Sequence, residues 1–79
     1  MKVKVRVFGY LKKYLLSDSG KIELEIEQQT NLAELLQLLG IPENELEFNL
    51  LLVNGSNVNK DEKLKEGDIV SLVQLVGGG

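Results

Sequence analysis

The sequence predicts an α+β domain, a mixed sheet of four to five strands packed on one main helix. Three observations carry this. Two early segments alternate strictly between apolar and charged residues, as half-buried strands do. One later segment places leucines at helical spacing between a start signal and a stop signal. A last apolar run follows a Glu-Gly-Asp turn. The chain of 79 residues suffices for one domain, expected over residues 1–76, with a flexible glycine tail at 77–79.

Each element follows from its residues. Residues 2–8, Lys-Val-Lys-Val-Arg-Val-Phe, form a strand with Val3, Val5 and Val7 on one face and Phe8 on the other. Gly9 interrupts it. Residues 10–16 form a loop or short helical turn, with Leu11, Tyr14 and Leu15 reaching the core, and Ser17-Asp18-Ser19-Gly20 is a turn cluster. Residues 21–27 alternate again, with Ile22, Leu24 and Ile26 inward. Glu23, Glu25 and Glu27 then face the same way as Lys2, Lys4 and Arg6, so cross-strand charge pairs are expected if the two strands pair. Leu32, Leu35, Leu36 and Leu39 define one helix face. Thr30 or Asn31 can cap its start, Asn31 with Glu34 resembling a capping box, and Gly40 before Pro42 ends the helix.

Residues 43–49 connect the helix to a third strand, anchored by Leu46 and Phe48. Leu50-Leu51-Leu52-Val53 is that strand, and Asn54-Gly55 is a tight-turn signal. Residues 57–59 return briefly. Leu64 anchors the next loop, and residues 68–76 form the last strand, with Val70 and Leu72 inward. The first two strands make a hairpin. The crossover through the helix lets the first and last strands lie parallel. This layout is that of a β-grasp, or ubiquitin-like, domain.

Composition narrows the function. The net charge of −3 argues against a nucleic-acid partner. The chain has no cysteine and no histidine, which removes thiolate chemistry, disulfides and the usual general base, and no metal-ligand cluster is expected. No apolar stretch approaches the ~20 residues of a membrane span. The charged N-terminus does not read as a secretory signal, so the expected compartment is the cytoplasm.

One helix covers one face of the sheet, so the other face should be polar unless it binds something. Alternation turns Ile69, Val73 and Leu75 outward, and one pair of the Leu50–Val53 run must follow them. Phe8, Leu52, Val73, Leu75 and Val76 are therefore the candidate partner-binding residues, a patch leading to the tail. Gly77, Gly78 and Gly79 offer only backbone, and the one distinctive group there is the Gly79 carboxylate.

These residues together resemble a family. Val5-Arg6-Val7-Phe8-Gly9-x-Leu11, Thr30-x-Leu32-Ala33-Glu34-Leu35-Leu36, Leu52-Val53-Asn54-Gly55, Leu64-Lys65-Glu66-Gly67-Asp68-x-Val70 and Gly78-Gly79 occur in the order found in the MoaD/ThiS sulfur carriers. That group includes the small subunit of molybdopterin synthase and the thiamine-pathway carrier. The resemblance implies that an adenylating enzyme like those that activate ubiquitin (E1-like) uses ATP to form an acyl-adenylate on Gly79. A sulfur donor then converts it to a thiocarboxylate. The carrier itself binds no cofactor and supplies no catalytic side chain; Gly79 is its reactive residue. In the molybdopterin branch the tail enters the large synthase subunit, or an equivalent sulfur-accepting enzyme.

The chemistry suits this chain. A terminal carboxylate is ionised at neutral pH and a poor electrophile, so activation must precede attack by sulfur. Glycines without a β-carbon pass a narrow channel, and four residues beyond Leu75 reach at most about 13–14 Å. The length and the Phe8-Gly9-x-Leu11 opening favour the molybdopterin (or tungsten) cofactor branch. Gln74 followed by two aliphatic residues is closer to the thiamine branch. Two readings from other classes stay open: a protein modifier joined through Gly79 to lysines, and an interaction module with an idle tail.

Overall fold

The computed structural model describes residues 1–15 and 19–74. The expected turn residues Ser17 and Asp18, with Leu16, and the tail from Leu75 and Val76 through Gly77, Gly78 and Gly79 lie outside the described residues, as do the side chains of Leu46 and Phe48. Five strands form one mixed sheet: β1 (Lys2–Val7), β2 (Lys21–Glu25), β3 (Asn49–Val53), β4 (Ser56–Asn57) and β5 (Ile69–Gln74). Their spatial order is β2-β1-β5-β3-β4. β1 pairs antiparallel with β2 and parallel with β5, while β3 runs antiparallel to both β4 and β5. With helix α1 (Leu32–Leu38), this is the β-grasp that the element order predicts.

The alternation of β1 works as expected, with Val3, Val5 and Val7 buried and Lys2, Lys4 and Arg6 exposed. Val5 faces Ile22 and Val3 faces Leu24 across the hairpin. β2 stops two residues short of the alternating run, yet Ile26 stays tied to the first strand. The Met1 ammonium donates to its carbonyl at 2.6 Å, and its own N–H donates to the Met1 carbonyl at 2.7 Å. The hairpin closes through Gly20, whose carbonyl accepts from the Val7 N–H at 2.8 Å. Gly20 has φ +75, and a β-carbon there would stand 2.6 Å from the Val7 carbonyl oxygen, so no side chain fits.

Helix α1 has only seven residues, too short to persist alone. Its start is fully engaged. The Asn31 side chain accepts from Glu34 N–H at 2.8 Å, and Glu34 accepts from Asn31 N–H at 2.9 Å, the expected capping box. The Leu32 and Ala33 N–H groups donate to the Glu62 and Lys60 carbonyls. Leu32, Leu35 and Leu36 are buried in one cluster with Val3, Val5, Val70 and Leu72. Burial worth roughly 1.5–3 kcal/mol per large side chain outweighs the helix's intrinsic cost. Gly40 follows with φ +76.

Two 3-10 helices complete the core. The first, Gly9–Tyr14, buries Leu11 and leads into buried Leu15. The second, Glu43–Phe48, is linked to the first where the Tyr14 hydroxyl donates to Glu45 Oε2 at 3.1 Å. Asn49, buried at the start of β3, donates from Nδ2 to the Glu45 carbonyl at 2.6 Å.

Candidate functional site

The sheet face turned away from α1 carries the candidate residues. From Leu50 to Val53 β3 is apolar, so its sequence leaves the choice of face open; pairing with β5 decides it. Leu51 stands opposite Leu72 and Val53 opposite Val70, both partners buried, which turns Leu50 and Leu52 outward beside Val73 and Ser71. Val70 and Leu72 point inward as alternation requires. Ile69, Ser71 and Val73 are half-buried on the outer face.

Phe8 joins this face from β1. Its N–H donates to the Leu72 carbonyl at 3.0 Å, which carries the β1–β5 pairing one residue past the strand. The ring is 41% exposed, an unfavourable position for a free aromatic side chain. The Arg6 guanidinium lies 5.5 Å from the ring centroid, within cation–π range. Phe8, Leu52, Ile69 and Val73 line one shallow depression, rimmed by Arg6, Asn54 and Ser71. Three of the expected partner-binding residues, Phe8, Leu52 and Val73, thus come together. The other two, Leu75 and Val76, lie outside the described residues, as do Gly77, Gly78 and Gly79. β1 and β5 are parallel, so Phe8 and Val73 both sit where the chain leaves the sheet toward residue 75.

A hydrogen-bonded clamp centred on buried Asp68 fixes the rim, and local sequence reading misses it. Asn54 and Gly55 have φ +53 and +85, the two left-handed positions of a tight hairpin turn. The Asn54 side chain also reaches β5: its Nδ2 donates to Asp68 Oδ1 and its Oδ1 accepts from the Ile69 N–H, both at 2.9 Å. Asp68, only 8% exposed, accepts a second bond from the Lys65 N–H at 2.8 Å. Glu66 Oε1 accepts from the Lys2 N–H, and the Gly67 N–H donates to the Lys2 carbonyl. The Asn-Gly and Glu-Gly-Asp signals read as turns are therefore joints between distant strands. Asn54 and Asp68 are 14 residues apart and Lys2 and Glu66 are 64 apart, beyond the reach of any local pattern.

Among the described residues no three His, Cys, Asp or Glu side chains converge as a metal site would need. The perturbed carboxyl is on the opposite, helix side, where the Lys60 ammonium hydrogen-bonds Glu43 and holds its pKa below the ordinary carboxylate range. No helix among the described residues is long and apolar enough to cross a membrane.

Comparisons with known proteins agree with this geometry. The family model described as ThiS family matches residues 5–79. No curated protein matches the sequence. SAMP1, small archaeal modifier protein 1, of Haloferax volcanii superposes with a TM-score of 0.78 at 19% identity over 100% of both chains. A Pyrococcus furiosus chain assigned as molybdopterin converting factor subunit 1 gives 0.71 at 24% identity, over 95% of this chain and 98% of that one. A chain from the complex of subunits 1 and 2 of molybdopterin-converting factor from Helicobacter pylori gives 0.68 at 28% identity over 100% of both.

Proposed function

The chain belongs to the ThiS family, and from that premise we propose that it carries sulfur as a thiocarboxylate on Gly79 for molybdenum or tungsten cofactor synthesis. The observation that supports this most is placement: exposed Phe8 and half-buried Leu52 and Val73 line one depression, with Phe8 and Val73 toward the end of β5 from which the chain runs to Gly77-Gly78-Gly79. A docked enzyme covering that patch would receive the tail.

The reaction balances as follows. The Gly79 carboxylate attacks the α-phosphate of ATP on an E1-like adenylating enzyme, giving the acyl-adenylate and pyrophosphate. Hydrosulfide delivered by the sulfur donor then adds to the acyl carbon and AMP leaves, so the C–O bond to AMP is replaced by a C–S bond and the thiocarboxylate forms with release of a proton. The adenylate is needed because the free carboxylate resists nucleophiles. ATP is bound by the partner, and this chain supplies the acyl group and the docking face. The likeness to a molybdopterin-converting factor chain at 28% identity favours that factor's subunit 2, or an equivalent large subunit, as the kind of enzyme that takes the sulfur. The thiamine pathway is the alternative acceptor.

A second reading is a protein modifier, in which a lysine amine takes the activated Gly79 instead of sulfur. The SAMP1 likeness in fold favours it, and conjugates of raised mass in cells would reveal it.

The deciding experiment is mass spectrometry of the tryptic peptide 66–79 after incubation with ATP, the cognate adenylating enzyme and a sulfur donor. That peptide holds no methionine, so oxidation cannot imitate sulfur. Replacement of one terminal oxygen by sulfur at Gly79 is the expected result. An unmodified tail, with the enzyme shown active on another carrier, would overturn the proposal.

A further inference from the structure

The cationic flank of the docking face is unused by the carrier chemistry. Across the β1–β2 hairpin Lys2 stands opposite Glu25 and Lys4 opposite Glu23, but Arg6 stands opposite Lys21. Like charges in register on one sheet face destabilise the pairing. Core packing explains the register, because Val5 must face Ile22. It does not explain why both outward positions are cations, in a chain of net charge −3. Neither Arg6 nor Lys21 takes part in an ion pair among the described residues. Arg6 instead lies over Phe8. Lys4, Arg6, Lys21 and Ile69, with the single acid Glu23 opposite Lys4, line a second shallow depression, which adjoins the apolar one and shares Arg6 and Ile69 with it.

We propose that this flank receives an acidic segment of the sulfur-accepting partner subunit. A partner Asp or Glu carboxylate seats between Arg6 and Lys21, while the partner's apolar side chains cover Phe8, Leu52 and Val73. The inference rests on the carrier reading. Charge complementarity carries it: an incoming carboxylate turns a repulsive pair into a bridge, and a guanidinium fork donates two hydrogen bonds to a carboxylate. Continuity of the two depressions favours a protein carboxylate over a small anion, which would leave the apolar half uncovered. A rim charge of this kind sets the association rate and its salt dependence.

The test is association kinetics of Lys21→Glu with the purified cognate acceptor subunit across ionic strength. The association rate should fall about tenfold at low salt, with dissociation little changed, and converge on wild type near ~1 M salt. The same substitution gives Arg6 a carboxylate neighbour, so the melting temperature of the free protein should rise by roughly 2–8 °C. Zero-length carbodiimide coupling of the wild-type complex should join Lys21 or Lys4 to a partner Asp or Glu. Unchanged association at every salt concentration would overturn the inference. A fall in melting temperature would also overturn it, by making Lys21 a structural residue. Val73→Asp separates the two levels. If it loses binding while Lys21→Glu keeps it, only the acidic-partner inference fails; if both bind normally, the docking-face reading fails as well.

Discussion

Replacing Gly20 by alanine probes the joint that closes the first hairpin. Two costs are superimposed there. The left-handed backbone, φ +75, costs about 1–2 kcal/mol with a β-carbon present. The β-carbon would also lie 2.6 Å from the Val7 carbonyl oxygen, a backbone atom that cannot rotate away. Relief requires the strands to part, which strains the 2.8 Å bond from Val7 N–H to the Gly20 carbonyl. Losing that bond adds about 0.5–1.5 kcal/mol. The sum is about 2–3 kcal/mol, or a melting temperature lower by roughly 10–20 °C in a domain of this size. Gly55→Ala is the internal control, because Gly55 has φ +85 but nothing within 4 Å of its would-be β-carbon. It should cost only the first part. Urea unfolding of both variants followed by circular dichroism gives the difference directly, with slopes unchanged if both native states stay compact. If Gly20→Ala is no more costly than Gly55→Ala, the contact with Val7 does not constrain the hairpin and the reasoning fails.

Four further outcomes are expected. Val73→Asp, on the outer face, should abolish measurable docking to the partner enzymes while leaving cooperative unfolding intact; a collapsed thermal transition would mean that Val73 belongs to the core. One residue added after Gly79 should eliminate thiocarboxylate formation by mass spectrometry with no change in melting temperature, and a persisting extension that still gains sulfur would refute the terminal chemistry. Asp68→Ala leaves the Asn54 amide and the Lys65 N–H without their buried acceptor, a loss of about 2–4 kcal/mol readable by urea titration. Glu43 has a folded pKa below its ordinary 4.5, so its pair with Lys60 stabilises above the unfolded pKa, and that stabilisation disappears as pH falls through the folded value; Lys60→Met should return the Glu43 carbon-13 titration to the ordinary range.

Much of the fold was legible because its elements are locally consistent. Alternation in β1 names Val3, Val5 and Val7 as core, and the cap signals at Thr30 and Asn31 place the helix start, which the structure fixes at Asn31. The illegible parts depend on strand pairing. The Leu50–Val53 run is apolar on both faces, and only the facing of Leu51 with Leu72 sends Leu52 to the outer face. The register sets Lys2 opposite Glu25 and Lys4 opposite Glu23 as expected, but no ion pair closes between them among the described residues, and Arg6 meets Lys21, since the inward valine and isoleucine set the register and the outward residues have no say in it. Asp68 reads as a turn residue, and its burial follows from Asn54 reaching back to it. Of the candidate site, alternation identified Val73 and Phe8. The clamp that supports them and the cationic flank beside them required three dimensions.

The placement of β5 has a kinetic consequence. It is fifth among the strands in sequence and third across the sheet, lying between β1 and β3. Before it docks, the chain holds two separate hairpins that share no backbone bonds, and the valines of β1 have one neighbour strand instead of two. The parallel β1–β5 contact also closes the longest loop in the domain, an entropic cost that delays it relative to the hairpins. The surface formed by Phe8, Leu52 and Val73 spans three strands and so comes into being at the same step as the completed core. A nascent or cleaved chain lacking β5 presents no such surface, and an enzyme that reads it thereby distinguishes finished chains from fragments.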